Sequence, residues 1–343
     1  MKIINIQTQV KNILLKTPFI TALRRVESVE YVRVKVVCDN GYVGIGEAPA
    51  TKAITGEDIE IILNSISSVK NFFTDKSPQE ALKILHDTGC NIGSSAKAAL
   101  DIAFVSLMAQ GKNQKLYEYL GAKEIVPLQT DVTISFKHPS EMLEDAKEAL
   151  QNSMWILKVK LGSDIDHAID ATYTISKELP KAKILIDANQ AWSLEDSLKY
   201  VEAMMDVDIE LIEQPVVADD LDGLKQITNI SHIPILADEA VFTLEDAKKI
   251  ISTKSADMIN IKLMKCGGLT KAVEILELCR GHDIKCMLGS MLEGPYSINA
   301  ALHLALAYRD VIKYIDLDSP LLYKEPSDEL EFSFNGCEVL LKK

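Results

Sequence analysis

The sequence contains no run of about 18 or more apolar residues, so no segment can cross a bilayer as a helix. Its six cysteines (Cys38, Cys90, Cys266, Cys279, Cys286, Cys337) form no C-x-x-C pair and no zinc-ligand spacing. That pattern points to reduced thiols in a cytoplasmic protein, not to a disulfide or zinc scaffold. Cationic residues are outnumbered, 37 Lys and Arg against 50 Asp and Glu, which leaves a net charge of −13. Such a surface is repelled by nucleic acid and by anionic membrane, so neither is expected as a partner. The opening segment, MKIINIQTQVKNILLK, alternates polar and apolar residues and lacks both an apolar h-region and a small-residue cleavage site. No signal peptide is expected. What remains is ordinary globular material: 343 residues, 47% hydrophobic and 25% charged. The length suits two domains, or one large barrel with attachments.

The chain changes rhythm near residue 126. Before it, residues 2–12 and 29–38 alternate, and Asp39-Asn40-Gly41 supplies a turn into YVGIGE, an antiparallel meander. From 57 to 120 the period is helical, with an alanine-rich stretch at 96–110. After it, β-rich runs alternate with helical stretches at 127–135, 156–161, 183–189, 210–215, 235–240, 257–263, 285–290 and 313–318. Polar residues recur near the strand ends: Lys160, Asp187, Glu213, Asp238, Lys262, Ser290 and Asp316. Their spacings are 27, 26, 25, 24, 28 and 26 residues, about one βα unit each. The expected fold is α/β: a (β/α)8-type barrel over 126–318 with an N-terminal α+β capping domain over 1–125. The tail 319–343 joins the cap, its strand-like EFSFNG and CEVLL returning to pair with the N-terminal sheet. A doubly wound sheet is the rival, but eight even units favour closure.

In such a barrel the chemistry sits at the C-terminal ends of the strands. Asp187, Glu213 and Asp238 end three consecutive strands there, an oxygen ligand set for a hard cation such as Mg²⁺. One strand-end carboxylate is usually a helix cap. Three in register are costly unless something positive joins them. Lys158 and Lys160, two apart, share one face of strand two, and Lys262 ends strand six on the far side of the carboxylates. A substrate carboxylate held at the metal would place its α-carbon between two amines. Metal and neighbouring lysines both lower a lysine pKa towards that of a useful base. Bases on opposite faces allow racemisation or epimerisation. The six histidines avoid the strand ends, except His138 just beyond strand one, so lysine is the better candidate.

The segments LKVKLG (157–162), LIDANQAW (185–192), LIEQPV (211–216), LADEAVF (236–242) and NIKLMKCGG (260–268) resemble the enolase superfamily, whose sites use Lys or His bases with Mg²⁺. The K-x-K on strand two with a lysine on strand six resembles the muconate-lactonizing-enzyme subgroup. Asp316-Leu317-Asp318 and PFITALRRVESV (18–29) resemble its dipeptide epimerases. The resemblance implies an isomerase that inverts the C-terminal residue of a dipeptide, chiefly in the L-Ala-L-Glu / L-Ala-D-Glu pair. It works by two-lysine proton transfer through a metal-stabilised enolate, in murein peptide metabolism of the cell wall. Lys160 and Lys262 would be the acid/base pair and Lys158 the enolate stabiliser. Asp316 and Asp318 would bind the free ammonium and Arg24 the side-chain carboxylate, with Arg25 beside it extending the patch or facing solvent. Thr133, Ser290, Met291 and Leu292 would line the cavity, Asn189 and Glu239 would support the ligands, and segments 18–28 and 50–58 would close over the site. A homo-oligomer is expected. The alternatives within the same chemistry are o-succinylbenzoate synthase and N-succinylamino acid racemase. Outside it stand a non-catalytic metabolite-binding barrel and a Schiff-base aldolase.

Overall fold

The cap grows from one long ladder. In the computed structural model, which describes residues 1–20, 25–87 and 89–342, β1 (Ile3–Ile20) pairs antiparallel with β2 (Arg25–Cys38), and β2 with β3 (Val43–Pro49). The alternation seen in the sequence puts Val32, Val34 and Val36 into the cap core, against the helices that follow.

The alanine-rich stretch is the helix Ser94–Gly111, and its composition has a steric cause. Strand β3 presents Gly44 and Gly46 to it on one face. A Cβ at Gly44 would lie 2.2 Å from the carbonyl oxygen of Ala103, and one at Gly46 would lie 1.9 Å from that of Ala99. Strand and helix backbones therefore touch, which glycine at both strand positions permits. The same helix sends Ala99, Leu100, Ala103 and Phe104 into the cap core and Ala98, Ile102 and Val105 into the barrel core. It is apolar nearly all round because it serves two cores.

The barrel follows the expected order. After β4 (Leu128–Gln129) come its eight parallel strands: β5 (Val132–Ile134), β6 (Ile156–Lys160), β7 (Lys183–Asp187), β8 (Leu211–Glu213), β9 (Ile235–Ala237), β10 (Met258–Lys262), β11 (Lys285–Gly289) and β12 (Ile312–Asp316). They pair in sequence order, with helices between them. A parallel bridge from Thr130 to Ile315 joins first to last. The doubly wound alternative is thereby set aside. His138 N-caps the helix Pro139–Gln151. All six cysteines are free, and among the described residues no helix is long and apolar enough to cross a membrane.

Two expectations need correction. The run 127–135 is not one strand: it splits at Thr130-Asp131, and only its second half enters the barrel. The tail strands, β13 (Phe332–Asn335) and β14 (Glu338–Leu341), do not pair with the N-terminal sheet. They form a three-stranded sheet with β4. An isolated hairpin is marginal in water. Here β4 supplies a free edge, and the barrel-side core takes Phe332, Cys337 and Val339. The tail touches the N-terminal sheet ahead of these strands, where Tyr323 bridges Leu15 of β1 antiparallel and the Lys324 N–H donates to the Leu14 carbonyl at 2.8 Å. Side chains add to this: Arg33 on β2 pairs with Glu329 at 2.6 Å and with buried Glu47 on β3 at 2.7 Å. Glu47 also accepts the backbone N–H of Tyr296 in the first turn of the helix Pro295–Ala307, which favours its charge there. That pair of contacts joins sheet, tail and barrel.

Gly46→Ala is expected to force β3 off the helix Ser94–Gly111 and to cost about 3 kcal/mol, an overpacking penalty. Urea unfolding checks it. An unchanged midpoint would show that the cap and helix separate without loss.

Candidate active site

Strand ends do the placing. Lys160, Asp187, Glu213, Lys262 and Asp316 are the last residues of their strands, and Asp238 and Ser290 each follow one directly. Beyond β7 and β8 the backbone turns sharply, with positive φ at Asn189 (45°), Gln190 (67°) and Gln214 (38°). Non-glycine residues adopt this region at a cost, and such strain clusters at functional sites. Gln214 repays part of it by accepting the N–H groups of Asp238 and Ala240, which holds the next strand end in place.

Lysines and carboxylates interleave across the mouth. Lys160 Nζ lies 2.5 Å from Asp187 Oδ2. Lys158, fully buried below it, reaches Asp316 at 2.6 Å, Glu213 at 2.7 Å and Asp187 at 3.4 Å. Lys262 lies 2.6 Å from Asp238 and 3.7 Å from Glu213. Lys265, to which the sequence reading gave no role, lies 2.6 Å from Asp238 Oδ1 and donates to the carbonyl of Asn260. Asn260 Nδ2 in turn donates to Glu213 Oε1 at 2.8 Å. The signal for both was the spacing N-x-K-x-x-K in the sixth unit.

Burial raises every carboxyl here, and the lysines decide which ones stay low. Burial lifts Asp187 and Asp238, but Lys160 and Lys158 pull the first below the usual range, and Lys262 and Lys265 the second. Glu213 ends up raised, by burial and then by Asp187. Glu239 is pushed up to about 8 by burial and then by Asp238. Burial lowers Lys158 and Lys262, yet their carboxylate partners win and hold both well above the ordinary lysine range. In the protein alone, then, these two are firmly cationic, the reverse of the direction a base requires.

A cavity of about 50 Å³ opens above this array. Lys160 and Lys262 line it together with Thr133, Asn189, Asp238, Glu239, Ser290, Met291, Leu292, Asp316 and Asp318, and the cap adds Phe19 and Ile54. No histidine lines it. Lys158, Asp187 and Glu213 lie in the floor below. Larger cavities, of about 490 and 720 Å³, lie between cap and barrel and beside the cap sheet, with no such convergence of charge. At strand eight Asp316 faces Lys158, while Asp318 Oδ2 accepts the N–H of Thr133 at 2.7 Å. Asp318 is pushed up to about 6 by burial and then by Asp316. Arg24 lies outside the described residues. Arg25 faces solvent, paired with Glu27 at 3.3 Å. Segment 18–28 is, where described, the tip of the β1–β2 ladder, with Phe19 opposite Val26.

Residues 3–121 match the family "Mandelate racemase / muconate lactonizing enzyme, N-terminal domain", and 141–340 match "Enolase C-terminal domain-like". The chain is 65% identical over 339 residues to an L-amino acid-D/L-Glu epimerase of Sulfurimonas denitrificans, covering 99% of both chains. It superposes with a TM-score of 0.95 on a substrate-liganded L-Ala-D/L-Glu epimerase of Bacillus subtilis, 39% identical, covering 99% of this chain and 96% of that one. For a dipeptide epimerase of Enterococcus faecalis complexed with Mg and L-Leu-L-Tyr, the TM-score is 0.92 at 33% identity, covering 100% and 98%. The chain belongs to the enolase superfamily.

Enolase-superfamily sites use Mg²⁺, and the donors here fit it. Glu213 Oε2 is buried and accepts no hydrogen bond, although Lys158 Nζ is 2.7 Å away. Asn189 Oδ1 and Glu239 Oε2 are buried and unpartnered as well. Unsatisfied hard oxygens beside Asp187 and Asp238 are what a hard cation needs. One difference from expectation is geometric. The carboxylates that converge within 4.8 Å among the described residues are Asp131, Asp316 and Asp318, not Asp187, Glu213 and Asp238. The reason is visible: Lys158 reaches between Asp187 and Glu213, and Lys262 between Glu213 and Asp238.

Because Lys158 neutralises carboxylates on three strands, Lys158→Met is expected to cost about 3–5 kcal/mol in Mg²⁺-free buffer, the penalty for unpairing buried charge. Urea denaturation reads it. A midpoint within about 0.5 kcal/mol of the parent would show that those carboxylates do without it.

Proposed function

We propose that this protein is an Mg²⁺-dependent dipeptide epimerase, and that it inverts the α-carbon of the C-terminal residue by proton transfer between Lys160 and Lys262. One observation carries the reading. Two buried lysines from β6 and β10 open on the same small cavity, each against a different carboxylate of the set Asp187, Glu213 and Asp238. The favoured substrate pair is L-Ala-L-Glu / L-Ala-D-Glu, in keeping with the relatives named above and with a role in murein peptide metabolism. The preference for a glutamyl side chain is assigned to Arg24 on sequence alone.

Asp187, Glu213 and Asp238 would hold the Mg²⁺. When bound it supplies positive charge that acidifies the α-proton beside a substrate carboxylate and competes with the lysines for their partners. One lysine, once neutral, takes the α-proton on its face of the substrate. The other, still an ammonium, returns a proton on the opposite face. The reverse reaction exchanges their roles, so no atom is gained or lost. Lys158, beneath them, keeps a positive charge where negative charge develops. Asp316 and Asp318 take the dipeptide's ammonium. This cup separates the reading from o-succinylbenzoate synthase and N-succinylamino acid racemase, because an N-acylated substrate has no α-ammonium to offer two buried carboxylates. Two opposed buried lysines argue against a binding-only barrel, and the unpartnered carboxylate oxygens that suit a cation argue against a Schiff-base aldolase.

Proton NMR in D₂O with Mg²⁺ is expected to show loss of the C-terminal α-proton of L-Ala-L-Glu and growth of the other diastereomer. EDTA should stop both. Lys160→Ala and Lys262→Ala should each abolish inversion, with kcat down by at least about 10³ if proton transfer is lost. Full turnover by either variant would sink the two-base mechanism.

The cup carries its own pH signature. Asp318, pushed up to about 6, takes a proton as pH falls through that value, and one of the charges that hold the ammonium is lost. KM for the dipeptide is expected to rise below pH 6, with kcat affected less. Asp316→Asn and Asp318→Asn should each raise KM by about tenfold or more, the cost of a lost charge-assisted contact. Flat KM in both variants would move the assignment to an acylated substrate.

A further inference from the structure

Behind the cup lies a third carboxylate that neither the reaction nor the sequence reading uses. Asp131 sits at the break between β4 and β5, one residue after the Thr130–Ile315 bridge that closes the barrel, and its N–H donates to Ile315 at 3.1 Å. It is 1% exposed, and neither of its carboxylate oxygens has a hydrogen-bond partner. One of them lies within 4.8 Å of an oxygen of Asp316 and one of Asp318. It does not line the substrate cavity. Asp131 instead lines, with Lys183, Glu210, Lys313 and Tyr314, a cavity of about 110 Å³ at the opposite mouth of the barrel. There Lys183 lies 3.6 Å from Glu210, which also accepts from the Tyr314 hydroxyl, so the two mouths are separately paired.

Three carboxylates this close and this deeply buried do not all ionise together. Lys158 is shared with Glu213 and Asp187 and cannot neutralise a third group at this strand end. Asp316 has Lys158 as its donor and Asp318 has the Thr133 N–H, and both donors favour the ionised form. Asp131 has none, so the proton belongs there. The groups facing it agree: burial, then Asp316, push its carboxyl well above the usual range, Asp318 adds to this, and Lys158 opposes it without prevailing.

We propose that Asp131 is a positioning residue of the ammonium cup: an un-ionised carboxylic acid that donates its proton in a hydrogen bond to Asp316. This aims Asp316 between Lys158 and the substrate. It also limits the cup to two negative charges beside Lys158, a net of one, matched to one primary ammonium. A third ionised group would instead favour a divalent cation or strip the charge from Lys158. The inference rests on the reading of Asp316 and Asp318 as the substrate's ammonium site.

Infrared spectra and kinetics of two variants test it. At pH 8, D131N is expected to lose one protonated-carboxyl carbonyl band present in the parent. D131A is expected to raise KM for the dipeptide by about tenfold or more with kcat within about twofold, the size of one hydrogen bond to a charged group. D131N, whose amide still donates to Asp316, should recover most of that loss. Failure of D131N to remove an acid band would overturn the proposal, whatever the kinetics. So would a KM in D131N as high as in D131A, because charge and not the donated hydrogen bond would then matter. D316N distinguishes the two layers: an unchanged KM there removes the ammonium-site reading, while the infrared result for Asp131 still stands or falls alone.

Discussion

Charge compensation inside the barrel mouth is the constraint on which the site depends. Lys158, Lys160, Lys262 and Lys265 face Asp187, Glu213, Asp238 and Asp316 at ion-pair distance, nearly all of them out of water. Burying one such charge alone would cost several kcal/mol, so no member is independent of the others. The contacts also cross strands: Lys158 alone ties β6 to β7, β8 and β12. Side chains that must neutralise one another across a barrel are held in place by that need, which is the preorganisation a proton-transfer site requires.

The same compensation explains why Lys158 and Lys262 are held cationic and why Asp187, Asp238 and Asp316 lie low in the protein by itself, while Glu213 does not. Lys160 and Lys262 are each held against a carboxylate. A site of this design has its protonation states reset by whatever cation takes the carboxylates over. On the proposed mechanism, metal dependence and basicity are one property. At strand eight the balance is struck differently, because a single lysine serves Asp316 while Asp318 and Asp131 lie close behind it. The excess negative charge there suits a cation brought by the substrate.

The cap contributes rigidity at a distance. Its helix Ser94–Gly111 lies against β3 backbone to backbone and shares the barrel core. Its buried Asp101 accepts the N–H of Thr270, just past the turn that carries Lys262 and Lys265. Phe19 and Ile54 bring the cap to the cavity wall. The cap beside the cavity and the end of strand six are thus supported by one element, and the glycines of β3 are what let it approach.

Much of this was legible in the residues. Alternation and period changes located the cap sheet, the helices and eight barrel units, because one face of each element must be apolar at period 2 or 3.6. Regular spacing placed Lys160, Asp187, Glu213, Asp238, Lys262 and Asp316 at strand ends, since each unit spends a similar length on strand, loop and helix. Spacing along the chain carries no information about which ends of a closed barrel touch. Only the tertiary structure decided that Lys158 reaches Asp316 on the last strand, that Lys265 joins Asp238, that β4 leaves the barrel to receive the tail, and that Asp131 lies behind the cup without a partner. Closure brings residues 131 and 316 together across nearly the whole barrel sequence, and a contact of that span is fixed by packing, not by any local preference. Residue types and their period were set by the sequence; pairing, burial and the resulting protonation states were set by the fold.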